Sequence, residues 1–289
     1  MGVFDLYVGR MRQRSGWSWA NARLGPFEGH QAYRAPSLNA AAAGKIIYAH
    51  AGNGFPWALS VGTSAQTALK QDYWNLIQNA AAGSPNMVNG STGLLVTTGS
   101  NDNENSILQT ARQITAASGQ TYNASLRCQL DNLDLNVCFG FGVADSDPLN
   151  VIGTAGTMTD IVALTCALNG TDGVFTPRVR GNGGTIADGT ALTAVTAAQD
   201  FHMGITFRLS STTGACGGNF WYNLGSSSGL DGKHKLTKVA FTAAQITQLR
   251  AWLTTAPTTI CGFAQFRAST ANSRNALIQH VGFEVERTS

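Results

Sequence analysis

The residues with the most direct catalytic potential in this 289-residue chain are its carboxylates, and they are few. Glycoside hydrolysis needs two carboxyl groups about 5 to 10 Å apart, commonly two glutamates on one strand. Only Glu284 and Glu286 are spaced to share a strand and a face, and they lie close to Arg287 near the end of the chain. The pattern Glu-x-Asp-x-Glu is absent. We therefore expect that the chain is not an enzyme.

The sequence offers equally little for nucleophilic or metal chemistry. Its five histidines are spread too far apart to suggest a triad, and no serine lies in a nucleophile-elbow context. Asp145 and Asp147 could ligate Ca²⁺ at a strand end, but a turn before Pro148 explains both residues. The five cysteines form no CxxC pattern and no Cys/His ligand spacing, so we predict free, buried thiols. We therefore predict no metal site and no cofactor.

The neighbouring aromatic residues Trp221 and Tyr222 are the candidates for binding rather than catalysis. Either ring could stack on a sugar, so a glycan-binding site at this pair stays open as an alternative. In a strand, however, alternation directs one of the two side chains to the core and the other to the surface.

The composition limits the classes of partner. Charged residues make up 12% of the chain, against roughly 25% in a typical soluble domain, so the surface must be mostly neutral and polar. A net charge of +3 is too small to indicate nucleic acid. No run of 18 apolar residues exists that could span a membrane, and the first 14 residues lack the apolar segment of a signal peptide. We expect synthesis in a cytoplasm.

The first 62 residues are predicted to form an extended arm. They are rich in Gly, Arg, Ala and aromatic residues that follow neither a helical nor a strand period. Exposed tryptophan is costly in water, so we expect this segment to lie across another surface. A basic arm on a nearly neutral body is suited to docking on an acidic partner. The residues predicted to make that contact are Arg10, Arg12, Arg14, Trp17, Trp19 and Arg23.

A helix is predicted at about residues 64–82, within an N-terminal unit of residues 1–100. Leu69, Tyr73 and Leu76 fall on one helical face, Ser64 can cap the start, and Gly83 can end the helix. A loop rich in Ser, Asn and Asp follows at residues 100–103. We therefore predict a boundary near residue 100 and a β-sandwich domain at residues 101–289.

The clearest strand signal lies at residues 121–143. Apolar and polar residues alternate in both halves of this segment, and Asp131 and Asn132 lie in the turn between them. We predict two long strands that pair as a hairpin. A hairpin of this kind is not stable alone and needs a second sheet to cover its apolar face.

Further strand patterns recur at the spacing expected of a sandwich. The exception is a predicted helix at residues 242–253, where Thr242 and Gln245 form a capping box and Pro257 ends the helical pattern. The other predicted strands are residues 93–98, 107–114, 160–168, 174–180, 201–209, 219–224, 259–267 and 277–286.

The order of these elements from about residue 105 to the end resembles the concanavalin A-like, laminin-G-type jelly-roll sandwich. The resemblance covers roughly two thirds of the chain. It is carried by VCFGFGV at 137–143 followed by ADSDP, GTDGVF at 170–175, DFHMGITF at 200–207, the strand and turn at 219–230, and LIQHVGFEVER at 277–287. It implies a mainly β fold of two antiparallel sheets. It is specific for fold and much less so for function.

The same ordering of Gly, Asp and aromatic residues is similar to sandwich proteins of bacteriophage particles, especially capsid decoration proteins. This resemblance implies a virion structural protein made in the host cytoplasm, bound to the major capsid protein through the arm and forming a homo-oligomer, with a trimer favoured. Two alternatives stay open. One is a carbohydrate-binding module of a tail fibre or surface layer, and the other is a depolymerase that would depend on Glu284.

Overall fold

We describe the fold from a computed structural model of the chain. The structure describes residues 45–51, 68–70, 74–79, 86–90, 93–98, 105–110, 114–132, 135–143, 159–166, 173–192, 199–212, 214–224, 237–254, 259–268 and 274–287. The strands in these ranges are β1 Lys45–Ala51, β2 Ala68–Lys70, β3 Trp74–Asn79, β4 Asn86–Gly90, β5 Gly93–Thr97, β6 Asn105–Thr110, β7 Ile114–Thr115, β8 Gln120–Leu130, β9 Leu135–Val143, β10 Ile161–Cys166, β11 Phe175–Arg180, β12 Ala187–Asp188, β13 Asp200–Arg208, β14 Gly217–Leu224, β15 Thr237–Ala240, β16 Thr259–Ala268 and β17 Asn275–Arg287, and the helix is α1 Ala243–Ala251.

The described strands form two antiparallel sheets. Sheet A has eight strands in the order β15-β14-β13-β8-β17-β5-β4, and β1 pairs with β17 beside β5. Sheet B has nine strands in the order β12-β11-β10-β9-β16-β6-β3-β2, and β7 pairs with β16. The two sheets pack face to face around one main apolar core, because each long strand has one apolar face that must be buried. The predicted mainly β, jelly-roll sandwich is confirmed.

Aromatic rings from both sheets meet at the centre of this core. Tyr122 and Phe207 of sheet A stack with their ring centroids 4.6 Å apart. Phe141 of sheet B approaches both rings edge-on, at centroid distances of 5.4 Å from Tyr122 and 5.6 Å from Phe207. Edge-to-face contacts at these distances are favourable beyond the burial of area alone. The aromatic residues of the alternating strand patterns therefore join the two sheets.

The predicted hairpin at residues 121–143 is wrong, although both of its strands are present. β8 pairs with β13 and β17 in sheet A, whereas β9 pairs with β10 and β16 in sheet B. The connection at residues 131–134 therefore carries the chain from one sheet to the other. Alternation specifies which face of a strand is buried. It does not specify whether two successive strands pair in one sheet or lie in two sheets that face each other across the core.

The predicted helix at 64–82 is also wrong, because β2 and β3 occupy part of it. In their register Leu69 lies opposite Leu76, so these two residues meet across an antiparallel pair instead of on a helical face. β3 then pairs with β6, which aligns Ile77 with Ile107. Pairing with a neighbouring strand overrides the local helical pattern. β1, β4 and β5 likewise pair within sheet A, so strand pairing extends across the predicted boundary at residue 100.

The capping box predicted at Thr242 and Gln245 is confirmed at the start of α1. The backbone N–H of Gln245 donates to Oγ1 of Thr242 over 3.2 Å, and that of Thr242 donates to Oε1 of Gln245 over 3.0 Å. Nε2 of Gln245 also donates to the carbonyl oxygen of Pro177 in β11 over 3.1 Å. One buried glutamine therefore caps the helix and attaches it to sheet B.

Candidate functional site

The outer face of sheet A is polar and holds the candidate site. Along β14, Tyr222 packs against the core, and Trp221 points away from it on the opposite face. The expectation that alternation separates these two residues is therefore confirmed. They do not form one stacking surface for a sugar, and Tyr222 is therefore not part of the candidate site. Trp221 remains as a half-buried indole on the outer face.

Gly204 carries no side chain, so the row of side chains along β13 has a gap on this face that the Trp221 side chain borders. In register, Trp221 of β14 and Ser125 of β8 lie on either side of Gly204. A Cβ atom built on Gly204 would lie 3.7 Å from Cδ1 of Trp221, so the indole borders the hollow closely. We call this feature the Gly204 hollow; alternation and register place around it Trp221, Ser125, His202 and Thr206 and, on the diagonals, Asn123, Arg127, Asn219 and Asn223.

Several polar atoms at the Gly204 hollow have no hydrogen-bond partner in the part of the chain that the structure describes. They are Nε1 of Trp221, Oγ1 of Thr206, and both Oδ1 and Nδ2 of the Asn123 side chain. A buried donor or acceptor without a partner costs about 1–3 kcal/mol, and most such groups in native proteins are satisfied. These donors and acceptors are of the kind that pair with hydroxyl groups, and because each atom is itself buried, a ligand reaches them only when neighbouring side chains move.

Burial differs between the two sides of the Gly204 hollow. On the β8 side Asn123 is 1% exposed and Ser125 is fully buried, and His202, two residues before Gly204 in β13, is 5% exposed. On the β14 side Trp221 and Asn219 are half-buried, as is their neighbour Asn223. A ligand would therefore approach from β14, with its outer part against Trp221.

The histidine and serine of the hollow form a pair that the sequence did not reveal. Nε2 of His202 and Oγ of Ser125 are 2.9 Å apart, although the residues are 77 positions apart in the chain. Burial, and then the positive charge of Arg127, lower the pKa of His202 to about 4. An imidazole with this pKa is neutral and weakly basic near pH 7, so it is poorly suited to activating Ser125 as a nucleophile. The pair is suited to a structural or ligand-orienting hydrogen bond.

We expect acid to destabilise the protein through His202. An unfolded histidine binds its proton near pH 6.5, whereas His202 in the folded chain binds one only near pH 4. Between these values the unfolded state binds more protons, so the free energy of unfolding falls as the pH drops, by about 3 kcal/mol in full. Denaturant unfolding at several pH values measures this slope.

The matched variant for that experiment is His202→Gln, which keeps a polar side chain beside Ser125 but does not titrate. Carboxylates titrate equally in both proteins, so the difference between the two pH profiles isolates His202. The variant should lose the additional slope between about pH 6.5 and pH 4. Superimposable profiles would contradict a buried neutral His202.

Of the two glutamates considered for catalysis, Glu284 lies on this face. Glu284 is 2% exposed and is in register with Asn123, one strand further from Trp221. The side chain of Glu286 lies outside the described residues. A pair of carboxylates across a substrate is therefore not part of the described site.

Other predicted residues fall outside the described ranges. These are the six arm residues (Arg10, Arg12, Arg14, Trp17, Trp19 and Arg23) and the two calcium candidates (Asp145 and Asp147). Among the described residues, no cluster of three or more His, Cys, Asp or Glu side chains could hold a metal ion. No helix in the described ranges combines the length and apolar composition that a membrane crossing requires. The prediction of free, buried cysteines is confirmed for all five.

Comparisons with known proteins concern the fold. No family model matches the chain, and no curated protein matches it. Among solved structures, the chain is similar to the Lotus tetragonolobus seed lectin, at 9% identity over 80% of this chain and 100% of the lectin, with a TM-score of 0.47. It is also similar to lectin II from Ulex europaeus, at 11% identity over 79% of this chain and 98% of that chain, with a TM-score of 0.46. A third is the Emp47p carbohydrate recognition domain, at 11% identity over 79% and 95% of the two chains, with a TM-score of 0.44.

Proposed function

We propose that the chain is a saccharide-binding protein whose site is the Gly204 hollow, and that it binds its ligand without turning it over. The observation that carries the proposal is the half-buried indole of Trp221 beside a side-chain-free position, surrounded by polar atoms without partners. Ligand sites typically combine an apolar or aromatic surface with a few placed polar groups. A sugar ring has both an apolar face for the indole and hydroxyl groups for the polar side chains around it.

The test is a glycan array probed with the full-length chain and with two variants. Trp221→Ala should weaken binding by about tenfold or more, because an aromatic anchor at the centre of a site contributes most of its binding energy. Gly204→Ala should weaken it too, because a Cβ there fills the hollow, with only moderate crowding at 3.3 Å from the carbonyl oxygen of Ala124.

The control for these variants is Gly217→Ala, in the same strand as Trp221. A Cβ at Gly217 would meet only Cδ1 of Ile246, at 3.8 Å, which is ordinary van der Waals contact. This variant should bind as the unchanged protein does. An array without any bound glycan, or equal binding by Trp221→Ala, would overturn the proposal.

A second proposal is a phage virion structural protein, most specifically a capsid decoration protein that binds the major capsid protein as a homo-oligomer. It is supported by the low content of charged residues, 12%, and by the basic, aromatic arm. Because β1 begins at Lys45 and pairs with β17, a truncation that spares the sheet must stop at residue 44. Such a variant should fold but no longer sediment with capsids stripped of their surface proteins. Full binding by the truncated chain would contradict an attaching arm.

A further inference from the structure

We infer that the saccharide bound at the Gly204 hollow is acidic, with a carboxylate held beside Trp221 by Lys238. This inference rests on the proposed function and names the ligand class of the same site. Lys238 is exposed on β15 and lies opposite Trp221 in the strand register. Its Nζ lies 5.6 Å from the centroid of the indole ring.

Among the side chains that the structure describes, the charged ones nearest to the Gly204 hollow are cations. Arg127 borders it on the β8 side and already has a partner within the chain, whereas the exposed Lys238 lies beyond Trp221 on the β14 side, from which a ligand would approach. Glu284, the nearest acidic side chain on this face in the described ranges, is buried and lies beyond Asn123. Positive charge beside the hollow favours a negatively charged ligand over a neutral ligand of the same shape.

The position of the Lys238 ammonium near the Trp221 ring also favours an acidic ligand. One side of the Trp221 indole borders Gly204, and the ammonium group of Lys238 is near the ring. A sugar that stacks on the indole displaces this ammonium, and the protein loses the cation–π contact between Lys238 and Trp221. A carboxylate on that sugar gives the displaced ammonium a new partner, whereas a neutral sugar gives it none.

The experiment compares trigalacturonate with its trimethyl ester, which has nearly the same shape but no charge, each titrated into the full-length chain. At low ionic strength the acid should bind about tenfold more tightly than the ester. The preference should nearly vanish near 1 M salt, where the Debye length is about 3 Å. Lys238→Met should weaken acid binding by about fivefold without weakening ester binding, since it keeps the apolar stem, removes the charge and leaves no ammonium for the ester to displace.

The matched control is Arg208→Met, which removes one exposed positive charge from the same face but away from the hollow. It should retain the preference for the acid. Equal or tighter binding of the ester, or a preference lost in Arg208→Met but kept in Lys238→Met, would overturn this inference and leave saccharide binding intact. Failure of both ligands, together with an empty glycan array, would instead remove the proposed function.

Discussion

Gly140→Ala is expected to prevent the chain from folding. A Cβ atom on Gly140 would lie 2.0 Å from the carbonyl oxygen of Val162 and 2.7 Å from Cα of Ala163. Both atoms are backbone atoms of β10, the strand paired with β9 at this point, so no side-chain rotation can relieve the overlap. The strands would have to separate, which breaks their hydrogen bonds in the middle of sheet B. We expect a loss of more than about 4 kcal/mol.

Circular dichroism and soluble yield measure this effect, with Gly217→Ala as the control because its Cβ has room. The control should fold as the unchanged chain does. It is a matched control because both substitutions replace glycine by alanine within a strand. A Gly140→Ala protein that unfolds at the same temperature as the unchanged chain would contradict the close pairing of β9 with β10.

Trp252→Ala is expected to cost about 3–5 kcal/mol of stability. The side chain is 1% exposed, follows α1, and meets the ring of Phe207 edge-on with the centroids 5.7 Å apart. Its Nε1–H donates to the carbonyl oxygen of Arg180 in β11 over 2.7 Å. The substitution therefore leaves a cavity under the helix and removes the partner of a backbone carbonyl.

The control is the same substitution at Trp221, which is half-buried and whose Nε1 has no partner in the described part of the chain. Trp221→Ala should cost about 1 kcal/mol or less, because a half-exposed ring leaves no closed cavity. Guanidinium unfolding of both variants measures the difference. Equal losses would contradict the assignment of Trp252 to the core and Trp221 to the outer face.

Strands and caps were predictable from the sequence wherever the signal is local. Period-two alternation identified β8, β9, β13 and β14, because one buried face forces apolar residues to every second position. The capping box of α1 was equally visible, since Thr242 and Gln245 satisfy each other within one turn. The faces of Trp221 and Tyr222 followed from the same alternation.

Strand partners were not predictable, because they depend on contacts distant in sequence. The pattern of residues 121–143 fits a hairpin and a crossing between sheets equally well. Leu69 and Leu76 have a spacing that fits one face of a helix, although in the structure they lie opposite each other in paired strands. The Gly204 hollow is hidden for the same reason. Only the register of β13 with β8 and β14 brings Ser125, Gly204 and Trp221 into one row.

The most direct test of saccharide binding at the Gly204 hollow follows the indole N–H signals of Trp221 and Trp252 by two-dimensional NMR. Each signal is assigned from the corresponding Trp→Phe variant, and the full-length chain is titrated with the tightest-binding saccharide of the array. We predict that the Trp221 signal shifts, because its Nε1 gains a partner, while the Trp252 signal stays, because its N–H is already bonded to Arg180. A saccharide that binds without moving the Trp221 signal would contradict the site.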